Sequence, residues 1–316
     1  MADSASRPPD PRRRLTIAVL GHAESTHVRG RAQALAQRGH RVVWLTPKAA
    51  NLEGVEDVLL APAAGQSFAF RAINAVSRRL GGWSLTPAQS YQRLTEALAV
   101  LAPDIVHIHY AYSIPAWLAA AVDRHPMVVS VMGGDVLFGE QGPTTALGRW
   151  LTLQALDAAD LITAKSDHLI SALDRLGGLG HKSIRIVWGV DLERFERRDP
   201  SVLRTRLGLP PTARVILSPK ILKPFYNIHL VVEAMAGVVI RHPDAVLLIT
   251  EYAADPAYKA ELSASIERLG LRAHVRFVGH IHVEEMVDYY SLSALAVAVP
   301  PSDGLPQALF EAMACE

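Results

Sequence analysis

An α/β fold of two doubly wound, mostly parallel sheets is what this sequence predicts, and three observations predict it. Short apolar runs alternate with amphipathic helical stretches along nearly the whole chain. A charged break, Glu196 to Pro200, divides that alternation into two series. Polar, Gly-containing segments recur where the strands' carboxyl ends fall, which is where sheets of this kind bind ligands.

Composition sets the outer limits. At 316 residues, 50% hydrophobic and 20% charged, the chain is long enough for two domains and a sizeable core. A net charge of +1 offers no global attraction to nucleic acid, so an anionic partner needs a local site. The single cysteine, Cys315, excludes an internal disulfide framework and fits a reducing compartment, with the cytoplasm as the expected location. No apolar stretch reaches the roughly 20 residues of a membrane span. Residues 1–13 read as a disordered tail; Arg12 to Arg14 leave contact with anionic lipid open beside a solvated reading.

The first domain is expected over residues 14–195. A strand at 15–20 leads through Gly21-His22-Ala23-Glu24-Ser25-Thr26 into a helix near 27–38, which Gly39 stops, and a strand follows at 42–45. The loop lacks Gly-x-Gly-x-x-Gly, which argues against a nicotinamide dinucleotide fold. Residues 68–80 set Phe70, Ile73, Val76 and Leu80 against Arg71, Arg78 and Arg79, with Trp83 beyond. That helix packs on its own domain or, alternatively, lies at the inner face of a membrane. Thr86-Pro87-Ala88-Gln89 reads as the capped start of the next helix. Strands at 105–108, 128–131, 161–164 and 184–187 then alternate with helices near 114–123, within 144–158, and after Ser166 up to the break at Gly177-Gly178-Leu179-Gly180. The strand ends carry Gly21-His22, His109-Tyr110 and Gly133-Gly134-Asp135. His107 and His109 share one strand face, but a third metal ligand is lacking, and the same holds for His280 and His282; no metal site is expected.

The second domain is expected over residues 196–316. Strands at 215–217, 245–250, 275–278 and 295–299 alternate with helices near 227–241, 256–269 and 283–290 and with a final helix. The last strand reads as buried, and Pro-Pro-Ser-Asp-Gly turns the chain. Ser302 or Asp303 suits the helix cap and Pro306 its first turn. Leu305, Ala308, Leu309, Ala312 and Met313 share one face, with Gln307 and Glu311 off it. A Gly loop opening onto a helix N-terminus is an anion site, and phosphate is its natural guest. An ordinary crossover, with Asp303 only a cap and Glu311 only solvated, remains open on these residues alone. Two Rossmann-like domains in tandem would leave a cleft between their strand ends.

Several phrases in order carry a resemblance: Arg38-Gly39-His40-Arg41-Val42, Pro103-Asp104-Ile105-Val106-His107-Ile108-His109, Gly134-Asp135-Val136, Ala159-Asp160-Leu161-Ile162, Gly189-Val190-Asp191-Leu192-Glu193-Arg194-Phe195, and Ser302 to Pro306 with Glu311-Ala312-Met313. From about Leu15 to the last residue the chain resembles retaining glycosyltransferase family 4, of GT-B fold. The resemblance implies transfer of a sugar from a UDP-, GDP- or ADP-sugar to a hydroxyl of a glycan or lipid-linked acceptor, without metal or other cofactor. The second domain would hold the donor and the first the acceptor. Asp303 and Glu311 match the family's two acids eight positions apart. Glu311 would then bind the ribose, and Asp303, Gly304, Leu305 and Pro306 the sugar and diphosphate, with Gly279 and His280 on the same donor side.

Charge develops on the leaving diphosphate as the glycosidic bond breaks, so fixed cations and N–H dipoles stabilise the transition state above the ground state. Here the sequence departs from the family pattern. Lys220 stands where an Arg is expected and Tyr226 about where a Lys lies, with Lys223 nearby. Lys keeps the charge but loses the planar two-pronged grip. Met132 replaces a His common in relatives, which leaves His109 or Asp135 to orient the acceptor beside Gly21, His22 and His27. The expected catalytic set is Asp303, Glu311, Lys220 and His109. With no nucleophile evident, front-face attack with the departing phosphate taking the proton is the expected route to retention. Relatives continue past the Glu-Ala-Met-Ala motif, so the sequence is read as an incomplete record of an active enzyme ahead of a shortened inactive protein. A nucleotide-sugar or glycan-binding protein and a nucleotide-sugar epimerase stand as alternatives.

Overall fold

A computed structural model describes residues 13–60, 87–122, 125–138, 145–301 and 303–316. The amphipathic stretch 68–80, Trp83, the Thr86 cap, Ser302 and the tail up to Arg12 lie outside the described residues. The chain divides into two compact units between Val187 and Trp188. Residues 188–195, assigned to the first domain by sequence, pack with the second: Phe195 lies in the second unit's core, its ring 6.2 Å from that of Tyr290.

The first unit carries seven parallel strands: β1 (Thr16–Leu20), β2 (Arg41–Thr46), β3 (Val55–Leu59), β4 (Ile105–His109), β5 (Met127–Ser130), β6 (Leu161–Ala164) and β7 (Ser183–Arg185), in the order β3-β2-β1-β4-β5-β6-β7. Period-two alternation buries both faces. Ala18, Leu20, Val43 and Leu45 enter one core, and Ile17, Val19, Val42 and Trp44 the other. The helices are α1 (Thr26–Gln37), α2 (Pro87–Leu101), α3 (Ile114–Val122), α4 (Ala146–Ala158) and α5 (Asp167–Gly177). Ser25, Thr145 and Ser166 cap α1, α4 and α5 by accepting from Val28, Gly148 and Leu169 N–H. Gly178, at φ 68, ends α5 in the left-handed conformation that Gly adopts without Cβ strain.

Two family phrases acquire a structural meaning here. Asp104 Oδ2 accepts from Thr16 N at 2.8 Å and Asp160 Oδ2 from Met127 N at 2.7 Å. Each carboxylate thus satisfies the first N–H of a neighbouring strand and pins its register.

The second unit has four parallel strands, β8 (Arg214–Ser218), β9 (Ala245–Ile249), β10 (Val275–Phe277) and β11 (Leu295–Ala296), in the order β10-β9-β8-β11. Its helices are α6 (Ser201–Arg206), α7 (Ile228–Arg241), α8 (Pro256–Arg268), α9 (Met286–Leu292) and α10 (Gln307–Ala314). Asp255 caps α8 by accepting from Ala257 and Tyr258 N–H. Val215, Leu217, Val246 and Leu248 face one core, while Leu247 and Ile249 face the other. No helix among the described residues is long and apolar enough to cross a membrane.

Two expectations need correction, and two elements were missed. The strand expected at 295–299 is paired over two residues only and lies at the sheet edge, leaving Leu295 56% exposed. Met313, placed by helical spacing on the apolar face, is 72% exposed. β3 and α6 had no counterpart in the sequence reading. β3 is an edge strand carrying Glu56 and Asp57, so it shows no apolar alternation, and Arg41 binds Glu56 with two hydrogen bonds of 2.9 Å.

Candidate functional site

In the second unit, ligand chemistry gathers where β8 and β11 lie side by side and the strand order reverses. Lys220, just past β8, places its ammonium 2.8 Å from Asp303 Oδ2, just past β11, with the two side chains 11% and 26% exposed. Asn227 adds a second tie, donating from Nδ2 to Val299 O at 3.1 Å, and Thr250 Oγ1 reaches Lys220 O at 3.2 Å. Asn227 sits at φ 51, a left-handed conformation that Asn tolerates. The Lys220 ammonium also lies 5.8 Å from the centre of the Tyr226 ring.

Asp303 is therefore an ion-pair partner and not a helix cap. The N-cap of α10 is Pro306, and among the described residues no side chain caps the first N–H groups of α10. Gly304 is buried, and Leu305 and Pro306 are half-buried. Glu311 is also half-buried and accepts from the Tyr290 hydroxyl at 3.1 Å. Burial pushes its carboxyl upward, while the Tyr290 bond and the Arg194 charge pull it down. Lys223 is exposed. Gly279, at φ 76, donates to Glu251 Oε2 at 3.0 Å and accepts from Glu251 N at 2.9 Å. His280 stacks on exposed Tyr252 at 5.4 Å.

The first unit has its own switch point between β1 and β4, and a cavity of about 400 Å³ opens there. His22, Ser25, His27, Val28, His109, Tyr110, Met132 and Lys165 line it. His109 is 2% exposed, and neither of its ring nitrogens has a hydrogen-bond partner. Unsatisfied buried nitrogens at a cavity wall are where a ligand hydroxyl gains most from binding. Tyr110, the next residue, holds φ 77, a strained value for a non-Gly residue. Gly21 is a requirement of this geometry: a Cβ there would lie 3.2 Å from His109 Cβ and 3.1 Å from Val28 Cγ1.

Asp135, expected on the acceptor side, binds the backbone with both carboxylate oxygens. Its Oδ1 accepts from Met132 N at 2.9 Å and Gly133 N at 3.0 Å, and its Oδ2 from Ala111 N at 2.9 Å. The carboxylate is fully buried and clasps the loops after β4 and β5. Lys165 was missed by sequence reasoning. Its signal was position alone, as the residue immediately past β6 and so at a strand's carboxyl end.

A model of glycosyltransferase family 4 matches residues 25–194, and a model of glycosyl transferases group 1 matches residues 201–316. The chain belongs to glycosyltransferase family 4. A D-inositol 3-phosphate glycosyltransferase of Catenulispora acidiphila is 30% identical over 228 residues, which cover 67% of this chain and 53% of that relative. A namesake from Geodermatophilus obscurus is 25% identical, covering 67% and 50%. The chain spans about half the length of these curated relatives. Among solved structures, Anabaena HepE in complex with UDP and glucose aligns with a TM-score of 0.73 at 19% identity, covering 95% of this chain and 78% of that one. The sucrose-phosphate synthase of Thermosynechococcus elongatus aligns at 0.77 and 19%, covering 96% and 79%. These likenesses carry the fold: the two units are the Rossmann-like domains of GT-B.

This family 4 chain packs two imidazoles against each other, His107 half-buried and His109 buried, and that has a pH consequence. Burial, with the Arg31 charge, pulls His107 down to about 3, and burial pulls His109 well below its ordinary value. Between pH 6.5 and 3 the unfolded chain binds a proton at His107 that the folded chain does not. Its stability contribution is therefore complete above pH 6.5 and is lost as pH falls. At pH 5 the loss from His107 alone is about 2 kcal/mol, and His109 adds in the same sense. Urea unfolding of the first unit at pH 7.5 and pH 5 measures it. A midpoint that stays put or rises on acidification would contradict the lowered values of the pair.

Proposed function

We propose that this chain carries out metal-independent, retaining transfer of a sugar from a nucleoside-diphosphate sugar to a hydroxyl acceptor, binding donor on the second unit and acceptor on the first. The observation that carries this reading is the Lys220–Asp303 pair across the β8 and β11 loops, ahead of the α10 N-terminus. A diphosphate entering there meets the Lys220 ammonium and the first N–H groups of α10, both fixed before reaction and both strengthened as the leaving group gains charge. Asp303, drawn from Lys220 by the phosphate, is then available to sugar hydroxyls. Glu311 is held by Tyr290 with one oxygen left for the ribose. On the first unit, uncharged His109 offers both a donor and an acceptor nitrogen to the acceptor hydroxyl, and the departing phosphate takes the proton from the front face.

Stabilisation by UDP, GDP and ADP, followed by incubation with the sugars of whichever nucleotide binds, tests the donor half. The acceptor panel includes glycans, lipid-linked glycans and D-inositol 3-phosphate, the compound in the name of the relatives. Glu311→Ala is expected to lower turnover about 10- to 100-fold, the worth of a hydrogen bond to a charged group, without unfolding the protein. The product should keep the donor's anomeric configuration, and chelator should leave the rate unchanged. An inverted product would sink the mechanism, and donor bound without transfer or hydrolysis would turn the reading to a binding protein.

A further inference from the structure

Behind the His109 cavity lies a polar network that the transfer reaction does not itself use. Arg31, on α1, donates from Nη1 to Ser130 Oγ at 2.7 Å. The same hydroxyl lies 2.7 Å from Thr163 Oγ1 and 2.9 Å from His107 Nε2. His107 in turn stacks on His109 with ring centres 4.2 Å apart and planes 32° apart. One helix and three adjacent strands, β4, β5 and β6, thus meet at a single serine oxygen.

Hydrogen-bond capacity makes this arrangement directional. A serine hydroxyl has one proton to give and two lone pairs. The guanidinium has no lone pair to offer, so it always occupies one acceptor position of Ser130. One donor and one acceptor position remain, which Thr163 and His107 complete in either of two proton arrangements, both of them open to an uncharged His107. Burial brings the Arg31 guanidinium down only to about 10, so it stays cationic at neutral pH behind both imidazoles.

We propose that Arg31 is a positioning residue for His109: through Ser130 and His107 it fixes the stacked rings, so that His109 presents an uncharged donor and acceptor to a hydroxyl of the acceptor substrate. This rests on the reading of the cavity as the acceptor side. The groups that bear on His109 from other elements support it. His27 approaches from α1, His22 from the loop after β1 and Lys165 from the end of β6, all of them basic side chains. The nearby acid Asp135, which also acts on Tyr110, is committed to three backbone N–H groups. A proton on His109 would face Arg31 and these groups with no acid free to balance it among the described residues that line the cavity.

The test is a pH titration of histidine ring nitrogens by NMR in ¹⁵N-histidine-labelled full chain, with His109 assigned from His109→Gln. In the unsubstituted protein His109 should keep its neutral resonances from pH 7.5 to pH 5. Arg31→Met retains the stem and removes the charge, and should raise the protonated fraction of His109 at pH 5 about tenfold, one pH unit of midpoint. Arg31→Lys, which keeps the charge, should restore most of the original behaviour. Ser130→Ala cuts the link without touching the arginine, and should move the His107 Nε2 resonance together with that of His109. A His109 that titrates near 6.5 in the unsubstituted protein would overturn the proposal, and so would one unmoved by both Arg31→Met and Ser130→Ala. No substrate enters the titration, so it stands or falls separately from the transfer reaction.

Discussion

Lys220→Ala will weaken nucleoside-diphosphate binding about 100-fold, more than any other single change on the second unit. Two effects act in the same direction. The ammonium, 11% exposed at the β8–β11 switch point, would meet the diphosphate at the proposed donor site, and a charge-assisted bond in such a partly desolvated place is worth about 1.5–3 kcal/mol. Its removal also strips Asp303 of its 2.8 Å partner and leaves a bare carboxylate facing the incoming phosphate. Like charges in that position add a repulsion that the intact protein does not have. Lys220→Arg should stay within about tenfold of the original, since it keeps the charge and restores a two-pronged grip at the expense of the compact fit to Asp303. Calorimetric titration with UDP and GDP at two salt concentrations measures both variants. If Lys220→Ala binds as tightly as the unsubstituted protein, the donor site has been placed wrongly.

Much of this architecture was legible because the information is local. Strand alternation, the cap at Ser166 and the Gly178 stop are written within a few residues of where they act, and each lies where expected. The two-domain α/β reading and the family resemblance follow from such segments taken in order. What escaped is non-local or atypical. The Lys220–Asp303 bond joins residues 83 apart in sequence, and a local reading offered Ser302 or Asp303 as a cap because Ser and Asp shortly before a helix ordinarily serve as one. β3 escaped because an edge strand with acids at its centre has no apolar period to detect. α6 escaped because Arg204 and Arg206 make its six residues look like a linker. Lys165 carries no motif, and only the strand order turns it toward the cavity.

The motif aspartates are the most instructive case. Asp104, Asp135 and Asp160 all stand in family phrases, which invites a chemical role for each. In the folded chain all three spend carboxylate oxygens on backbone N–H groups. A phrase shared across a family marks a shared backbone arrangement as readily as a shared reaction, and only the bonding pattern separates the two.

Asp135→Ala makes that separation measurable, and its effect on stability should exceed that of any other substitution on the first unit. The change orphans the N–H groups of Ala111, Met132 and Gly133 at once, in two loops that no other described side chain bridges in this way. Each stranded buried donor costs about 1–3 kcal/mol, of which a part is offset by no longer burying a carboxylate. A net loss of about 3–5 kcal/mol follows, or roughly 10 °C in Tm for a unit of this size. The loops concerned hold Tyr110 at φ 77 and Gly133 at φ 127, conformations that the chain keeps only while the clasp holds them, so the His109 cavity should open with them. Asp135→Asn retains one good acceptor oxygen and should lose about half as much. Thermal unfolding of the first unit decides between the two roles this residue has been given. A positioning clasp lowers Tm in step with the number of bonds lost, whereas an acceptor-binding carboxylate would leave Tm in place and remove only turnover.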